Sequence, residues 1–575
     1  MSWRANVGDI YTGWLGSLGI RRTTMVARTL AGSLVLLEYL ALCFAAPVVQ
    51  LGSSSVIGRD NFVEGQPVQE FFGGIHYAAP PSGLRRFAPP VFKPTLDVDS
   101  FDASNYGIPC PQIGLPLNAS EDCLTVNILR PAGTHALSGL PVYAWIFGGG
   151  FINGDPSLYN ASAIVLRSVQ RGTPIVYVSI NYRLGPFGFP QGVEATARGA
   201  LNLGLKDQLT ALEWIHRNIQ AFGGDPSKIT VAGGSAGAIS ISNLFWNSEL
   251  SRYVRGAILQ SGPPNLLPLV PSTRRDKDWQ TFVSATPECA TAKPNQTFDC
   301  LREASADTLI QALATFSAGN AELFPFSPVL DGNDGLIPDL PSRLLAAGKF
   351  TRLPLIAGTN LDDATIFVPA AASTDQDAIN FFISYADPSD AGPPPPALTS
   401  AIDTLLELYP NDPALGSPFG TGNETFGLGS EYKRVAAIAD DVAFTSTRRA
   451  LAQNASDHRS RVFAYLFSDP QAVTNPSQGV AHGNEIDYTY GVPFLAGEPQ
   501  PAAALSEAML DYWISFVVTG DPNDGKGTAR PRWGQYASSR PAVLQLQGDN
   551  VTMISDTYRE TQIAFINSAP TTFNH

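Results

Sequence analysis

Short apolar runs alternate with helical patterns through the middle of the chain. Four runs rich in β-branched and aromatic residues each end at Gly, Asn or Thr, and they span 142–147, 174–180, 229–232 and 353–357. Because these runs are continuously apolar, we expect strands that are buried on both faces. Residues 208–222 carry apolar residues at helical spacing and stop at two glycines. This alternation predicts an α/β fold with a mostly parallel sheet covered by helices.

One segment is incompatible with regular structure. Residues 386–398 contain four consecutive prolines from Pro393. Proline lacks the backbone N–H that a helix interior or a central strand requires. We expect a surface loop here.

A G-x-S-x-G pattern follows the run 229–232 and precedes a helix-compatible stretch. Its residues are Gly233, Gly234, Ser235, Ala236 and Gly237. A strained turn between strand and helix would raise the serine hydroxyl above the sheet edge, and the helix N-terminus would stabilise developing negative charge. Ser235 is therefore the predicted nucleophile.

A nucleophilic serine needs a general base. For a serine on such a strand-to-helix turn, the acid and then the histidine base follow the serine along the chain. Of the six histidines, only His458, His482 and His575 come after Ser235. His458 lies in a polar stretch typical of a solvated surface, and His575 is C-terminal, where disorder is expected. His482 lies in a glycine-flanked loop, which makes it the predicted base by elimination.

The acid and the oxyanion donors come from other strand ends. The run 353–357 leads into Asp362 and Asp363, and spacing alone does not choose between these two carboxylates. Residues 148–150 are three glycines directly after the run 142–147. Their unobstructed N–H groups, together with that of Ala236, could hold an oxyanion.

The composition predicts a globular protein, and the length is compatible with one large domain over residues 47–575. The 575-residue chain is 44% hydrophobic and only 15% charged, which suits a buried core. Its formal net charge of −14 repels nucleic acid, so we expect no nucleic-acid partner.

The N-terminal 46 residues have the pattern of a targeting segment. A basic stretch with Arg28 precedes an apolar run, 30–46, that ends in small residues, which predicts an N-terminal extension with a secretory signal peptide. A buried helix or a membrane anchor is the alternative, but the run is shorter than the ~20 residues of a span. No later segment is apolar enough to cross a bilayer.

Sequons and cysteines agree with a secreted, extracellular protein. Six N-x-[ST] sequons predict glycosylation at Asn118, Asn160, Asn295, Asn423, Asn454 and Asn550. Cys43 falls in the leader, and the other four cysteines form two local couples, Cys110 with Cys123 and Cys289 with Cys300. Local disulfide pairing is the simplest arrangement, and four buried thiols are the alternative.

Together these motifs make the chain resemble the type-B carboxylesterase and cholinesterase family, most of all its secreted fungal lipases and esterases. The resemblance covers nearly the whole mature chain, and it implies an α/β-hydrolase fold with a single catalytic domain. Besides the serine motif, the segments that carry it are Phe72-Gly73-Gly74-Ile75-His76-Tyr77-Ala78, Glu121-Asp122-Cys123-Leu124-Thr125-Val126-Asn127, Phe147-Gly148-Gly149-Gly150-Phe151, Asn181-Tyr182-Arg183, Gly204-Leu205-Lys206-Asp207-Gln208, His482-Gly483-Asn484-Glu485 and Thr519-Gly520-Asp521-Pro522-Asn523.

The resemblance also assigns roles. It places the acid on Asp363 and the oxyanion donors on Gly149, Gly150 and Ala236, and the family's disulfides match the two local couples. The family acid is usually Glu, so Asp363 is one methylene shorter, and His482 or the acid loop must move closer. The resemblance implies neither a metal nor an organic cofactor.

Other departures from the family bear on the substrate. Gly234 stands where the family usually has Glu, Phe147 replaces a common His as in the fungal branch, and His76 replaces Pro. Cys110 and Cys123 are 13 positions apart (123 − 110), too few for the amphipathic lid that the matching bridge encloses in fungal lipases. We therefore expect an open, lidless site, with Phe367 as a candidate pocket wall.

These observations predict a serine carboxylic-ester hydrolase that acts through an acyl-enzyme on a small-molecule or lipid ester. A triacylglycerol lipase or sterol esterase for long-chain substrates is the first alternative. A non-catalytic adhesion protein is the second. The sequence leaves the oligomeric state and the identity of the ester open.

Overall fold

An eleven-stranded mixed sheet forms the centre of the molecule. Its strand order is β14-β13-β12-β11-β10-β9-β7-β8-β6-β4-β3, and a separate three-stranded sheet has the order β1-β2-β5. The strands are β1 Val48–Leu51, β2 Ser54–Ile57, β3 Arg59–Val63, β4 Gln66–His76, β5 Ser100–Asp102, β6 Thr125–Pro131, β7 Leu140–Ile146, β8 Val176–Ile180, β9 Gly224–Gly234, β10 Gly256–Gln260, β11 Leu355–Asn360, β12 Val462–Phe467, β13 Ala542–Leu546 and β14 Thr552–Ser555.

This computed structural model describes residues 46–63, 65–114, 119–264, 266–320, 322–387, 392–496 and 500–575. Ala46–His575 make one compact unit. The predicted leader (except Ala46), Cys43 and the sequon at Asn118 lie outside the described residues.

Helices pack on the large sheet. The α-helices are α1 Ser162–Gln170, α2 Gly185–Gly188, α3 Gly192–Ala197, α4 Leu203–Asn218, α5 Ala236–Leu244, α6 Leu250–Tyr253, α7 Asp276–Ala285, α8 Thr297–Glu303, α9 Ala306–Gly319, α10 Pro341–Ala346, α11 Asp375–Ala386, α12 Pro396–Leu408, α13 Tyr432–Ala439, α14 Ser446–Asp457, α15 Asn484–Thr489, α16 Val492–Ala496, α17 Gln500–Thr519 and α18 Glu560–Ser568. Short 3₁₀ turns cover Gly83–Arg85, Pro156–Leu158, Ile219–Phe222, Ser272–Arg275, Pro287–Cys289, Asp363–Ile366, Pro413–Leu415, Pro470–Ala472 and Pro570–Phe573, and Asp440–Thr445 form a π-helical turn.

The strands at the centre of the sheet are parallel and fully buried. Pairing is parallel from β13 through β12, β11, β10, β9 and β7 to β8, and antiparallel at both flanks. Every residue of β8, β10, β11 and β12 is buried. Burial on both faces explains why these strands are predominantly apolar. The predicted α/β architecture is confirmed.

The predicted elements differ from the observed ones at their ends. The helix predicted for 208–222 starts earlier, as α4, and finishes in the 3₁₀ turn Ile219–Phe222. The loop predicted for 386–398 is wrong at its C-terminal end, because α12 begins at Pro396. The missing N–H of a proline costs nothing in the first helical turn, and its φ already suits a helix.

Both predicted disulfides are present. Cys110 is bonded to Cys123 and Cys289 to Cys300, with Cα–Cα distances of 5.1 and 5.7 Å. In the described part of the chain, no helix combines the length and hydropathy needed to cross a membrane.

The sequons differ in accessibility. Asn160, Asn295, Asn423 and Asn550 are exposed. Asn454 is half-buried near the end of α14, and its side-chain amide donates to the Ala450 carbonyl at 2.8 Å. A glycan on this nitrogen would compete with that bond.

A buried charge cluster ties α14 to the chain after β14. Arg448 and Asp556 make two hydrogen bonds of 2.6 and 2.8 Å, and their side chains are 1% and 0% exposed. Arg449 contacts the same carboxylate at 3.1 Å, and the Tyr536 hydroxyl donates to it at 2.9 Å. The two arginines hold the pKa of Asp556 below its usual value despite burial.

We predict that Asp556→Asn lowers the free energy of unfolding by about 3–5 kcal/mol, because it leaves buried cations without their counter-charge. Calorimetry at neutral pH and one fixed scan rate measures the effect. The Asp556 contribution is present above its unfolded pKa near 3.8 and declines as the pH falls through the lower folded value, so the two proteins should converge in acid.

Glu249→Gln is the matched control. Glu249 meets Arg252 at 3.5 Å, and these side chains are 48% and 70% exposed. An exposed pair of this kind contributes less than about 1 kcal/mol. An equal decrease in the free energy of unfolding in the two variants would show that the buried cluster stabilises the fold no more than an exposed ion pair does.

Candidate active site

Ser235 occupies a strained turn between β9 and α5. Its φ and ψ are 54° and −127°, and its N–H donates to the Gln260 carbonyl at the end of β10 at 2.8 Å. A Cβ at Gly237 would lie 2.0 Å from the Ile146 carbonyl oxygen, so only glycine permits this approach of helix to strand. The turn leaves Ser235 half-exposed among buried neighbours.

The three glycines after β7 lie against this turn. A Cβ at Gly148 would be 2.9 Å from the Ser235 Cβ. Among the described residues, the N–H groups of Gly149, Gly150 and Ala236 are not donated to any hydrogen-bond acceptor. Three donors are thus unoccupied close to the serine.

His482 and Asp363 meet although 119 residues separate them in sequence. His482 Nδ1 lies 2.8 Å from Asp363 Oδ1, and the side chains are 9% and 0% exposed. Asp363 opens the 3₁₀ turn after β11, and His482 lies just before α15. His482 Nε2 is buried and has no hydrogen-bond partner within the described chain. His482 and Ser235 line the same cavity.

The carboxylate of Asp363 is held from its other side as well. Its Oδ2 accepts hydrogen bonds from the Ser261 hydroxyl at 3.0 Å and from the Asn360 N–H at 2.7 Å. The sequence analysis identified neither residue. The available signal was position, because Ser261 directly follows β10 and Asn360 ends β11, at the same sheet edge as Ser235.

Asp362, the competing acid, has different partners. Its Oδ1 accepts from the Ser417 hydroxyl at 2.9 Å and the Phe419 N–H at 2.8 Å, and its Oδ2 accepts from the Val480 N–H at 2.9 Å. Burial raises its pKa to about 6. Asp362 therefore binds backbone and hydroxyl groups, while Asp363 binds the imidazole.

Glu485 is a second buried carboxyl, to which the sequence analysis gave no role. It is 1% exposed, and its Oε2 accepts from Asn360 Nδ2 at 2.6 Å. Burial, and then the charge of Asp363, raise its pKa to about 7. A Cβ at Gly234 would lie 2.9 Å from Ile486 Cδ1, the end of a flexible side chain, so a larger residue there requires that side chain to shift.

The cavity around Ser235 has a volume of about 120 Å³ and mainly apolar walls. Phe367, the predicted pocket wall, lines it, with its ring 5.1 Å from that of His482. Phe444 stacks on Phe367 at 6.2 Å and lies 5.4 Å from His482. The cavity wall also contains an ion pair between Arg275 and Glu322.

The other two candidate histidines lie away from this cavity. His458 Nδ1 is 2.8 Å from the Asn454 carbonyl oxygen, and its half-buried ring packs on Phe350. His575 is 1% exposed, and burial lowers its pKa to about 3. The disorder expected for His575 is therefore wrong, because its ring packs beside Phe573 and its carbonyl accepts a hydrogen bond from the Ser342 hydroxyl in α10.

In the described residues, no group of three or more His, Cys, Asp or Glu side chains is arranged to hold a metal ion.

Comparison with known proteins agrees with this geometry. The carboxylesterase family model matches residues 45–566. Secreted lipase 1 of Botryotinia fuckeliana is 35% identical over 564 residues, which cover 91% of this chain and 93% of that protein. Lipase 2 of Geotrichum candidum is 35% identical over 459 residues, 77% of each chain.

A solved structure has the same α/β-hydrolase architecture. EstA of Aspergillus niger superposes with a TM-score of 0.78 and 26% identity, covering 92% of this chain and 100% of that one. The chain therefore belongs to the carboxylesterase family and is a carboxylic ester hydrolase.

Proposed function

We propose that the protein is a secreted serine esterase in which Ser235, His482 and Asp363 form the catalytic triad. The observation that carries the proposal is the 2.8 Å contact between His482 and Asp363 beside a cavity that Ser235 also lines. The unoccupied N–H groups of Gly149, Gly150 and Ala236 provide the oxyanion hole.

The first half-reaction acylates the serine. His482 Nε2 accepts the Ser235 proton as Oγ attacks the ester carbonyl, and the three N–H groups bind the oxyanion. Loss of a single oxyanion donor costs about 3 kcal/mol in well-studied hydrolases. Asp363 fixes the imidazole tautomer with Nδ1 protonated, and it stabilises the imidazolium. His482 then protonates the leaving alcohol.

The second half-reaction releases the acid. His482 removes a proton from water, which attacks the acyl-enzyme through the same oxyanion site. Ser235 recovers its proton, and the carboxylic acid leaves. These steps use only residues of this chain and water.

The substrate is, in this proposal, an ester that needs no lipid interface. The Cys110–Cys123 bridge encloses too short a segment for an amphipathic lid over the cavity. A triacylglycerol lipase or sterol esterase is the second candidate. It is favoured by the apolar cavity walls and by the name lipase on both relatives.

Secretion is supported from several directions. One relative is named a secreted lipase, two disulfides are present, and four sequons are exposed. Disulfides persist in oxidising compartments.

A non-catalytic adhesion role would leave the contact of His482 with Asp363 and the unoccupied donors without a use.

We predict that Ser235→Ala abolishes hydrolysis of p-nitrophenyl butyrate and labelling by a fluorophosphonate, because the attacking oxygen is gone. Its melting temperature should stay within about 2 °C of the wild type, since the Ser235 hydroxyl has no hydrogen-bond partner among the described residues that the change would remove. Ser251→Ala, at an exposed serine, should retain both activity and labelling. Turnover by the Ser235 variant would refute the triad.

We predict that the rate on tributyrin rises hyperbolically with concentration through the point where the ester forms an emulsion. The reason is that no lid must open at an interface. Initial rates measured by pH-stat on either side of that point check this. A sharp rise in the emulsion range would favour the lipase alternative.

We predict glycans at Asn160, Asn295, Asn423 and Asn550 and none at Asn454, whose amide nitrogen is half-buried and bonded to the Ala450 carbonyl. Glycopeptide mass spectrometry of protein secreted from a eukaryotic host measures occupancy at each site. Unmodified asparagine at all four exposed sites would count against the secretory route.

A further inference from the structure

Two buried carboxyls, those of Asp362 and Asp440, contact the 3₁₀ turn Asp363–Ile366, here called the acid turn, or the residue next to it. Neither forms a hydrogen bond with His482. Asp362 immediately precedes Asp363 in the chain. Besides its three side-chain hydrogen bonds, the Asp362 N–H donates to the Val480 carbonyl at 3.1 Å. Its Oδ2 accepts the Val480 N–H at 2.9 Å. Asp362 thus fastens the acid turn to the segment two residues before His482 with one backbone and one side-chain bond.

Asp440 binds the acid turn at the residue that follows Asp363. Its Oδ1 accepts the N–H of Ala364, the residue after the acid, at 2.6 Å. This N–H lies in the first turn of a short 3₁₀ helix, where no carbonyl of that helix can accept it. Asp440 supplies the missing acceptor from another element.

The element that carries Asp440 is rigidly anchored. Asp440 begins the π-helical turn between α13 and α14, and all six residues of that turn are buried. The next residue, Asp441, accepts two hydrogen bonds from Arg559, at 2.6 and 2.7 Å, and one from the Tyr409 hydroxyl at 2.6 Å. Farther along the same turn, the Phe444 ring lies 5.4 Å from His482. One π turn therefore contacts both the acid loop and the base, as such turns often do at functional sites.

The charge states of the two carboxyls suit different roles. Burial, and then the charge of Asp362, hold the pKa of Asp440 well above its usual range. A neutral carboxyl still accepts the Ala364 N–H through its carbonyl oxygen, so an amide can replace it. The pKa of Asp362 is about 6, so this carboxylate is ionised at pH 8 and accepts all three of its donors.

We propose that Asp362 and Asp440 are positioning residues that fix the turn Asp363–Ile366 at the distance from which the short side chain of Asp363 reaches His482. This inference rests on the triad proposed above. Neither residue touches the reacting atoms. They act through Val480, Ala364 and the backbone of the acid turn.

A double-mutant cycle at pH 8 tests the proposal. Asp440→Leu removes the acceptor and keeps the same branched arrangement of four side-chain heavy atoms. It should lower kcat on p-nitrophenyl butyrate by about 10- to 100-fold, the scale expected for small misplacements of catalytic groups, with KM within about twofold. Asp363→Glu alone should also lower kcat, because the longer side chain meets a turn held too close.

The two changes should be non-additive when combined. In Asp440→Leu, the slackened turn leaves room for the extra methylene, so the double variant should match or exceed the kcat of Asp440→Leu alone. Coupling of this kind marks residues that share one contact. A loss equal to the product of the single losses would overturn the proposal, and so would an Asp363→Glu variant with undiminished kcat.

Two further variants separate positioning from general stability. Asp440→Asn keeps the acceptor and should retain kcat within about threefold of the wild type; a loss as large as that of Asp440→Leu would overturn the proposal. Asp556→Asn should lower the melting temperature without lowering kcat, which shows that lost stability alone does not reproduce the effect.

Asp362→Asn replaces Asp440→Leu in the cycle should the latter fail to fold. Both oxygens of Asp362 accept hydrogen bonds, so the amide nitrogen of an asparagine would face a donor and one of these bonds would be lost. The same non-additivity with Asp363→Glu is expected. Activity in Ser235→Ala would defeat the triad itself. Additive losses in a chain that depends on Ser235 would defeat only the positioning role.

Discussion

The hydrogen bond between His482 and Asp363 depends on how parallel strands end. In β9, β10 and β11, the register pairs Gly234 with Gln260 and Gln260 with Gly358. The residues that follow these strands therefore emerge side by side at one edge of the sheet. They include Ser235, Ser261 and Asp363. A parallel sheet places ligands and catalytic groups at the carboxyl ends of its strands for this reason.

Burial makes this edge electrostatically demanding. Asp363, Glu485, Asp362 and Asp440 all lie in the interior, each 3% exposed or less. Removing a carboxylate from water is costly unless donors surround it. Asp363 has three hydrogen-bond partners, one of them the imidazole, whereas burial raises the pKa values of Asp362, Asp440 and Glu485 above their usual range.

The sequence predicted the parts of the site that depend on local chemistry. The apolar runs predicted buried strands because both faces of each strand are covered. The glycines around Ser235 predicted the turn because no Cβ fits there, and chain order together with local sequence context left His482 as the predicted base. The choice of Asp363 over Asp362 required the resemblance to a family, since both carboxylates follow the same strand and differ only in where their side chains point.

The remainder depended on contacts between segments distant in sequence. Asp440 is 76 residues from the Ala364 N–H that it accepts, and no local pattern marks that pairing. The burial of His575 likewise follows from packing of the segment after α18, not from its position in the chain. Pro396 shows a local limit, because a run of prolines indicates a loop but does not show at which proline a helix begins.

Two features of the cavity pull the substrate range in opposite directions. Its aromatic and aliphatic walls reward an apolar acyl or alcohol group through burial. The short Cys110–Cys123 loop leaves little chain to cover a long one. An uncovered portion of a long alkyl chain gains nothing from binding, whereas a chain that ends inside the cavity buries all its methylenes at about 0.8 kcal/mol each. In the lidless enzyme proposed above, the depth of the cavity therefore sets the chain length at which further methylenes stop contributing to binding.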